Sequence, residues 1–265
     1  MANMTTIVVS DVHLGYKNCN KKDFNKFLDE LSKMDELNHI VICGDFIDMW
    51  RRDLVGVMLE NADIFIKLKD IQKSGVTVDY VAGNHDYHIL KLNDYGYQFV
   101  FHEEFFLTMD DIKYKFLHGY EFDCDQDKIY FDALCYSSDK LGDIAGNAWK
   151  IFNSGKSRLG WVLGFFDKRK DMRKLRALLL TPEERQKNAI VFERIEKKAC
   201  RSVKKGEVLI FGHTHEPFIN TTENVANAGS WVKDHTPSNT YLEIKDGKIS
   251  LKIFGGEDIT ERLDY

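Results

Sequence analysis

The sequence contains little proline and no long apolar run. Only three of its 265 residues are proline, and no Pro- or Ser-rich tract, internal repeat or low-complexity segment indicates a linker. No uninterrupted apolar run reaches the roughly 18 residues of a membrane-spanning helix. The first residues, MANMTTIVVS, lack the basic and apolar regions of a signal peptide. We therefore expect a cytoplasmic chain whose residues 1–265 form one domain.

Paired cysteines and the common nucleophile motifs are also missing. The five cysteines are odd in number and show no CxxC spacing, which favours reduced thiols over a disulfide framework: Cys19, Cys43, Cys124, Cys135 and Cys200. Neither a GxSxG nucleophile elbow nor a Walker A loop occurs. The sequence therefore offers no evident protein nucleophile and no P-loop.

Charge is distributed unevenly along the chain. The net charge is −5, yet residues 150–205 contain 17 Lys/Arg against 6 Asp/Glu. Such a basic segment on an acidic body indicates contact with an anion. The alternative is a set of solvated helix faces with no ligand.

Apolar runs that end in polar residues alternate with helical patterns in the first third of the chain. The runs TTIVVSDVH, HIVICGD and VTVDYVAGNHD indicate buried strands. Between them, KKDFNKFLDELSKM and the single segment VMLENADIFIKLKDIQKSG show helical apolar spacing. This β-α-β-α-β order predicts parallel strands joined by crossover helices.

Shorter strands follow, separated by an insertion. EEFFLTMDDIKYKFLHG predicts a hairpin, EVLIFGHTH a further strand, and NTYLEI with KISLKIF a hairpin through Asp246-Gly247. The insertion covers about 125–206, and its capping signals predict a helix from Pro182 through Val203. We expect two mixed sheets flanked by helices, with a helical insertion over the strand ends.

Polar side chains that can bind metal follow the ends of five predicted strands. They include five of the nine histidines, and the set is Asp11, His13, Asp45, Asp48, Asn84, His85, Asp86, His118, His213 and His215. The carboxyl ends of parallel strands line one edge of a sheet, where ligands bind in open α/β folds. In the pairs Asp11-x-His13 and His213-x-His215, extended backbone would direct both side chains to one face.

This mixture of side chains predicts a divalent metal site. Carboxylate, imidazole and amide ligands suit Mn, Fe, Zn or Co, and no thiolate lies near the set. Seven candidate ligands are too many for one tetrahedral ion and suit two ions that share a carboxylate. Two divalent cations are therefore the expected cofactors, with Mn as first choice and Fe, Zn or Co as alternatives.

The motifs DVH, GDFID, GNHD, HG and GHTH, in this order, resemble those of the calcineurin-like metallophosphoesterase superfamily. The resemblance implies a four-layer α/β/β/α sandwich with a dinuclear site. It implies Asp11, His13 and His215 as ligands of one ion, Asn84, His118 and His213 as ligands of the other, and Asp45 as a bridge. His85 would contact the phosphoryl oxygen or protonate the leaving group, oriented by Asp48.

Such a site predicts hydrolysis of a phosphoric ester or pyrophosphate bond. Two cations roughly 3.5–4 Å apart lower the pKa of a bridging water and stabilise the phosphoryl oxygens during in-line attack by the resulting hydroxide. Histidine suits the role of general acid near neutral pH when a carboxylate holds it in place.

Further motifs are similar to the UDP-2,3-diacylglucosamine diphosphatase branch of the superfamily. They are SDVHLG, GDFIDMW, the Asp pair of HGYEFDCDQD, the helical insertion and NAGSW. This resemblance implies cleavage of a nucleotide-linked lipid pyrophosphate at a membrane surface, beneath a helical lid. Two positions depart from the branch, because His85 stands where Arg is typical and Tyr120 where Asp is typical.

Aromatic and basic residues are mixed within the insertion. They suit a lid over a nucleotide diphosphate, a peripheral contact with anionic lipid, or an amphipathic helix pair that packs on the body. The candidate substrate-binding residues are Trp50, Arg51, Lys156, Arg158 and Trp161. The expected substrate is a phosphorylated small molecule or a lipid-linked nucleotide.

Three other functions stay open at this point, one of which is a general phosphodiesterase. DVHLG and GNHD also resemble the DNA double-strand-break repair nuclease of the superfamily, and the basic segment could follow a nucleic-acid backbone. Against a nuclease, the chain lacks a long C-terminal capping region, and its insertion is apolar as well as basic. A non-catalytic scaffold is the other alternative, although the complete ligand set argues against it.

Overall fold

The computed structural model describes residues 4–96, 99–123, 182–235, 237–256 and 259–260. Five helices and eleven strands lie in these ranges. The helices are α1 (Lys21–Leu31), α2 (Leu54–Glu60), α3 (Ala62–Lys73), α4 (Tyr120–Asp123) and α5 (Pro182–Ser202), with a 3₁₀ segment at Tyr87–Tyr95. The strands are β1 (Thr5–Val9), β2 (Leu37–Cys43), β3 (Thr77–Val81), β4 (Val100–His102), β5 (Phe105–Met109), β6 (Ile112–Phe116), β7 (Glu207–Phe211), β8 (Phe218–Asn220), β9 (Val225–Asn227), β10 (Thr240–Lys245) and β11 (Lys248–Ile253).

The first sheet has six strands in the order β11-β10-β1-β2-β3-β4. Its strands β1 to β4 run parallel, while β10 and β11 add an antiparallel edge. Strand β1, with the sequence TTIVV, is buried along its whole length. A continuous apolar run is typical of a parallel strand whose two faces are both covered. The predicted β-α-β-α-β order is therefore present.

The second sheet has five strands in the order β5-β6-β7-β9-β8. The predicted β5–β6 hairpin is present and turns at Asp110 and Asp111, both at positive φ. Strand β7 runs parallel to β6 on one side and to β9 on the other. Its carboxyl end therefore lies beside the end of β6.

Three apolar clusters separate four layers. One cluster lies between the first sheet and helices α1 and α3, with Trp231 at 0% exposure among Phe24 and Phe27. A second fills the space between the two sheets, and a third packs α4 and α5 on the second sheet through Phe122, Ile195 and other residues. The predicted α/β/β/α sandwich, two mixed sheets flanked by helices, is confirmed.

The segment VMLENADIFIKLKDIQKSG contains parts of two helices, α2 and α3. The prediction of a single helix in this segment is therefore wrong. The break occurs at Asn61, whose φ of −126° and ψ of 20° are not helical. Its buried side-chain amide donates to the Val57 carbonyl at 2.7 Å. Asn favours such local bonds to the backbone over helix propagation, a preference that the apolar spacing alone does not show.

The predicted helix of the insertion spans Pro182–Ser202, one residue short of the expected end at Val203. Residues 124–181 lie outside the described residues, and with them Lys156, Arg158, Trp161 and the basic aromatic segment.

Among the residues that the structure describes, no helix combines the length and the apolar character needed to cross a membrane.

One buried polar cluster lies between neighbouring strands of the first sheet. The Asp79 carboxylate on β3 accepts hydrogen bonds from His39 Nε2 on β2 and His102 Nε2 on β4, both at 2.7 Å. Burial acts to raise the pKa of Asp79, but the two imidazole hydrogen bonds outweigh it and lower this pKa to about 2. The ionised carboxylate is therefore the form that the fold stabilises.

We predict that Asp79→Asn lowers the free energy of unfolding by about 2 kcal/mol at neutral pH. Because the folded-state pKa of Asp79 is depressed, its stabilisation is complete above the unfolded value near pH 4 and is lost as pH falls toward 2. Urea denaturation at several pH values, with a chelator present, should show the difference between wild type and variant shrinking over that window. The exposed Asp35→Asn is the control, and a difference that does not depend on pH would contradict the prediction.

Candidate metal centre

The loops that follow five strands bring the predicted residues to one edge of the sandwich. Asp11 and His13 follow β1, Asp45 and Asp48 follow β2, Asn84 and His85 follow β3, His118 follows β6, and His213 and His215 follow β7. Both sheets contribute, and hydrogen bonds or close contacts connect residues from all five loops. The arrangement follows from the parallel direction of these strands.

The backbone of this edge is left-handed at several candidate ligand positions. Positive φ values between 50° and 67° occur at Asp11, His13, Asp45, His213 and His215. The prediction that the two one-residue-spaced pairs are extended is therefore wrong. Non-glycine residues adopt this conformation at a cost and only where the surroundings enforce it, and such strain concentrates at functional sites.

Two glycines let neighbouring loops approach each other closely. A Cβ atom on Gly83 would lie 2.2 Å from Asp45 Oδ1. A Cβ atom on Gly44, which has a φ of +88°, would lie 2.3 Å from His118 Nδ1. Any side chain at either position would push a candidate ligand away, so close contact requires glycine at both positions, and the positive φ favours it at Gly44 as well.

One group of ligand atoms comes from the loops after β1 and β7. Asp11 Oδ1 lies 3.1 Å from His215 Nε2 and 3.6 Å from His13 Nε2. The two imidazole nitrogens are 3.3 Å apart. These three side chains form one of the candidate metal-binding groups of the chain. We call Asp11, His13 and His215 the first cluster.

A second group surrounds the side-chain oxygen of Asn84. Asn84 Oδ1 lies 3.2 Å from His118 Nε2 and 3.1 Å from His213 Nδ1. The three side chains come from loops of both sheets, after β3, β6 and β7. We call Asn84, His118 and His213 the second cluster.

The carboxylate of Asp45 lies between the two clusters. Its Oδ2 is 3.7 Å from His13 Nε2 in the first cluster and 3.3 Å from His118 Nε2 in the second. Its Oδ1 accepts the backbone N–H of His85 at 2.8 Å. One oxygen is therefore fixed by the backbone while the other faces both clusters.

Proton positions leave lone pairs pointing into both clusters. His13 Nδ1 donates to Asp48 at 3.2 Å, and His118 Nδ1 donates to the Cys43 carbonyl at 2.9 Å. A neutral imidazole has one N–H, so Nε2 of each ring presents an acceptor to other acceptors. Asp11 Oδ1 is buried and has no hydrogen-bond partner among the described residues, whereas Ser10 and the His213 N–H donate to Oδ2. Acceptors this close require added protons or cations between them, and the donor set fits divalent cations.

Protons on the histidines are the alternative to cations as partners for the buried carboxylates. Burial acts to lower the pKa of His13, but hydrogen bonds to Asp11 and Asp48 and the charge of Asp45 outweigh it and raise this pKa to about 10. Burial likewise lowers the pKa of His118, but Asp45 and Asp11 raise it more strongly, to about 10. Without cations, imidazolium rings therefore neutralise the buried carboxylates.

His85 lies beside the clusters and is held on three sides. Its Nδ1 donates to Asp48 Oδ1 at 3.0 Å, and its ring stacks on Trp50 with centroids 4.2 Å apart and planes at 26°. Its Nε2 lies 3.8 Å from Asp45 Oδ2. Burial lowers the pKa of His85 and outweighs the opposing charges of Asp45 and Asp48. The ring thus presents Nε2 toward the bridging position between the clusters.

The candidate substrate-binding residues near this edge differ in exposure. Trp50 is 4% exposed, and its described contact is the stack on His85 rather than an open surface. Arg51 is exposed, pairs with Asp48 and lies over the Tyr16 ring at 4.5 Å. Tyr16 donates to Asp234 at 2.5 Å, which places these residues at the rim of the site.

Asp86 connects two of the loops that carry candidate ligands. Its carboxylate accepts the N–H groups of Phe46 at 2.7 Å and Gly83 at 2.6 Å, together with the Tyr80 hydroxyl at 2.6 Å. Burial, followed by the charge of Asp45, raises the pKa of Asp86 to about 6. The position of Asp86 within GNHD indicates such a connecting role, because a buried carboxylate in a tight loop needs several hydrogen-bond donors.

Two further residues that are not among the candidate site residues of the sequence touch the clusters. Asp123 Oδ2 lies 3.4 Å from His213 Nε2, and the His235 ring lies 4.3 Å from the His215 ring. Both contacts join distant parts of the chain, so no spacing pattern in the sequence predicts them.

Comparison with solved structures finds matches of low sequence identity. A conserved uncharacterized protein from Streptococcus pneumoniae, described as a predicted phosphoesterase, is 15% identical over 100% of this chain and 93% of its own, with a TM-score of 0.35. An archaeal phosphodiesterase is 13% identical over 94% and 99%, with a TM-score of 0.40. Zinc-bound Vps29 from Entamoeba histolytica is 14% identical over 94% and 97%, with a TM-score of 0.38.

Comparison with protein families is more decisive than comparison with single proteins. No curated protein sequence matches this chain significantly. The family model of the calcineurin-like phosphoesterases, by contrast, matches residues 4–217. That range contains both clusters, Asp45 and His85, and extends over most of the chain. The protein therefore belongs to the calcineurin-like phosphoesterase family.

Proposed function

We propose that this protein is a metal-dependent hydrolase of phosphoric ester or pyrophosphate bonds. The observation that carries the proposal is the convergence of two ligand clusters on Asp45 Oδ2. The first cluster would hold one divalent cation, the second would hold another, and Asp45 would bind both. Bound there, two cations supply Lewis-acid stabilisation for the phosphoryl oxygens and an activated water.

The remaining residues orient groups around this centre. Asp48 binds His13 through Oδ2 and His85 through Oδ1, so one carboxylate fixes a proposed ligand and the proposed proton donor together. The Trp50 ring covers one face of His85 and limits its rotation. His85 Nε2 is the atom that would contact a phosphoryl oxygen or pass a proton to the leaving group. Arg51, at the rim, would bind substrate phosphate.

Sequence motifs support a proposal for the class of substrate that is hydrolysed. SDVHLG, GDFIDMW and NAGSW favour a pyrophosphate bond in a nucleotide-linked lipid, as in the UDP-2,3-diacylglucosamine diphosphatase branch. His85 and Tyr120 depart from that branch, and Tyr120 is buried at 4% exposure instead of facing a substrate. Phosphorylated small molecules are therefore part of the proposed range.

A panel assay tests the proposed function. The full chain, with Mn²⁺ added, should hydrolyse at least one of p-nitrophenyl phosphate, its bis-ester, a UDP-sugar or a CDP-lipid, and a chelator should abolish turnover. Preferential cleavage of single-stranded DNA would favour the nuclease alternative. No turnover on the whole panel with metal demonstrably bound would contradict the proposal and favour a scaffold.

We predict that Asp45→Asn lowers the affinity for Mn²⁺ and reduces turnover by orders of magnitude. An amide cannot supply the negative oxygen that faces both clusters, while its size and its bond from the His85 N–H are preserved. Titration calorimetry measures the affinity and the assay measures the rate. Asp35→Asn, an exposed position, is the control. Unchanged affinity in a folded Asp45→Asn chain would contradict the assigned role of Asp45.

We predict that His85→Ala keeps its metals and loses about 10²–10⁴-fold in kcat, the contribution typical of general acid–base groups. His85 is no member of either cluster, so its removal deletes proton transfer without deleting a ligand. His88→Ala, a change of the same kind in the following 3₁₀ segment, serves as the control and should retain activity. Loss of metal from the His85→Ala chain would show that His85 is instead a ligand.

A further inference from the structure

Asp123 lies against the second cluster from outside. It is the last residue of α4, the short helix that begins two residues after His118. Its Oδ2 is 3.4 Å from His213 Nε2, and its Oδ1 is 3.4 Å from Arg194 Nη2 on α5. The carboxylate is 20% exposed and therefore partly removed from competing water. No part of the proposed reaction uses it.

The two nitrogens of His213 face two different oxygens. Nδ1 lies 3.1 Å from Asn84 Oδ1 inside the cluster, and Nε2 faces Asp123 on the opposite side. A neutral imidazole has one N–H, and an ionised carboxylate can only accept. Asp123 therefore favours the tautomer with its proton at Nε2, which leaves the lone pair of Nδ1 directed at the cluster.

The orientation of His213 is the reverse of that of the other rings. His13 and His118 both donate from Nδ1, to Asp48 and to the Cys43 carbonyl, and both present Nε2. In water the Nε2–H tautomer has only a small advantage, so a hydrogen bond to the outer nitrogen decides which atom can bind metal. His213 has the Asp123 carboxylate in that place.

We infer that Asp123 is a positioning residue that fixes the tautomer and orientation of His213, so that His213 binds a divalent cation through Nδ1. The inference deepens the proposed function and depends on the second cluster holding a cation. An outer partner of this kind typically contributes 10–100-fold to metal affinity. The loss on its removal should fall on the second cluster, because Asp123 has no described contact with Asp11, His13 or His215.

The test is a Mn²⁺ titration of the metal-stripped full chain, followed by electron paramagnetic resonance of free Mn²⁺. Wild type should bind two ions, and Asp123→Ala should bind one of them 10–100-fold more weakly and the other unchanged. Asp123→Asn should recover most of the loss, because its amide oxygen still accepts from Nε2–H. Circular dichroism confirms that each variant is folded.

Arg194→Met separates this role from a purely structural one. It removes the ion pair between α4 and α5 and leaves the Asp123 carboxylate facing His213. Exposed ion pairs contribute little to stability, so loss of this pair should leave the fold around Asp123 intact. The affinities for the first and the second Mn²⁺ ion should therefore stay close to those of wild type. A loss in Arg194→Met equal to that in Asp123→Ala, or two unchanged affinities in a folded Asp123→Ala chain, would overturn the inference.

The tautomer of His213 can also be measured in the wild-type chain, without any variant of Asp123. Nitrogen NMR of histidine rings in the metal-free wild type, in mildly alkaline solution, should show His213 protonated at Nε2 and not at Nδ1, with His213→Gln used to assign the signal. A proton at Nδ1 would overturn the inference. If wild type binds no Mn²⁺, the proposed function fails, whereas the position of this proton still decides whether Asp123 sets the tautomer.

Discussion

The burial of three carboxylates at one edge of the sandwich is the constraint on which the rest of the site depends. Asp11, Asp45 and Asp48 are at most 2% exposed. A buried carboxylate is costly unless hydrogen bonds and opposite charge compensate for the lost water. The backbone N–H groups of His213 and His85 bind one oxygen of Asp11 and one of Asp45, and imidazole rings surround the others. Divalent cations in the two clusters would complete this compensation.

The fold supplies the rigidity that this arrangement needs. Parallel strands end at the same edge, and their loops are held in strained left-handed conformations at Asp11, Asp45 and other ligand positions. Asp86 ties the loop after β2 to the loop after β3, and the buried cores on each side of the sheets prevent the strands from shifting. The strain persists because the surrounding contacts determine the backbone more strongly than local preference does.

The sequence predicts the strands and the ligand set because both are local patterns. Short β-branched runs followed by Asp, Asn and His mark the strand ends, and parallel order then brings those ends together. Local patterns do not report packing between distant segments. The contact of Asp123 with His213 depends on how α4 packs on the second sheet, and the left-handed backbone of the Asp11 and His213 pairs depends on the facing loops. The break at Asn61 was missed since apolar spacing continues through it.

A carboxylate-bridged pair of cations can be observed by X-ray diffraction from crystals of the chain soaked in Mn²⁺, with data collected to reveal anomalous scattering. We expect two anomalous peaks per chain. One should contact Asp11, His13 and His215, the other Asn84, His118 and His213, and both should contact Asp45. A single peak, or two peaks that do not share Asp45, would contradict the account of a carboxylate-bridged pair of cations.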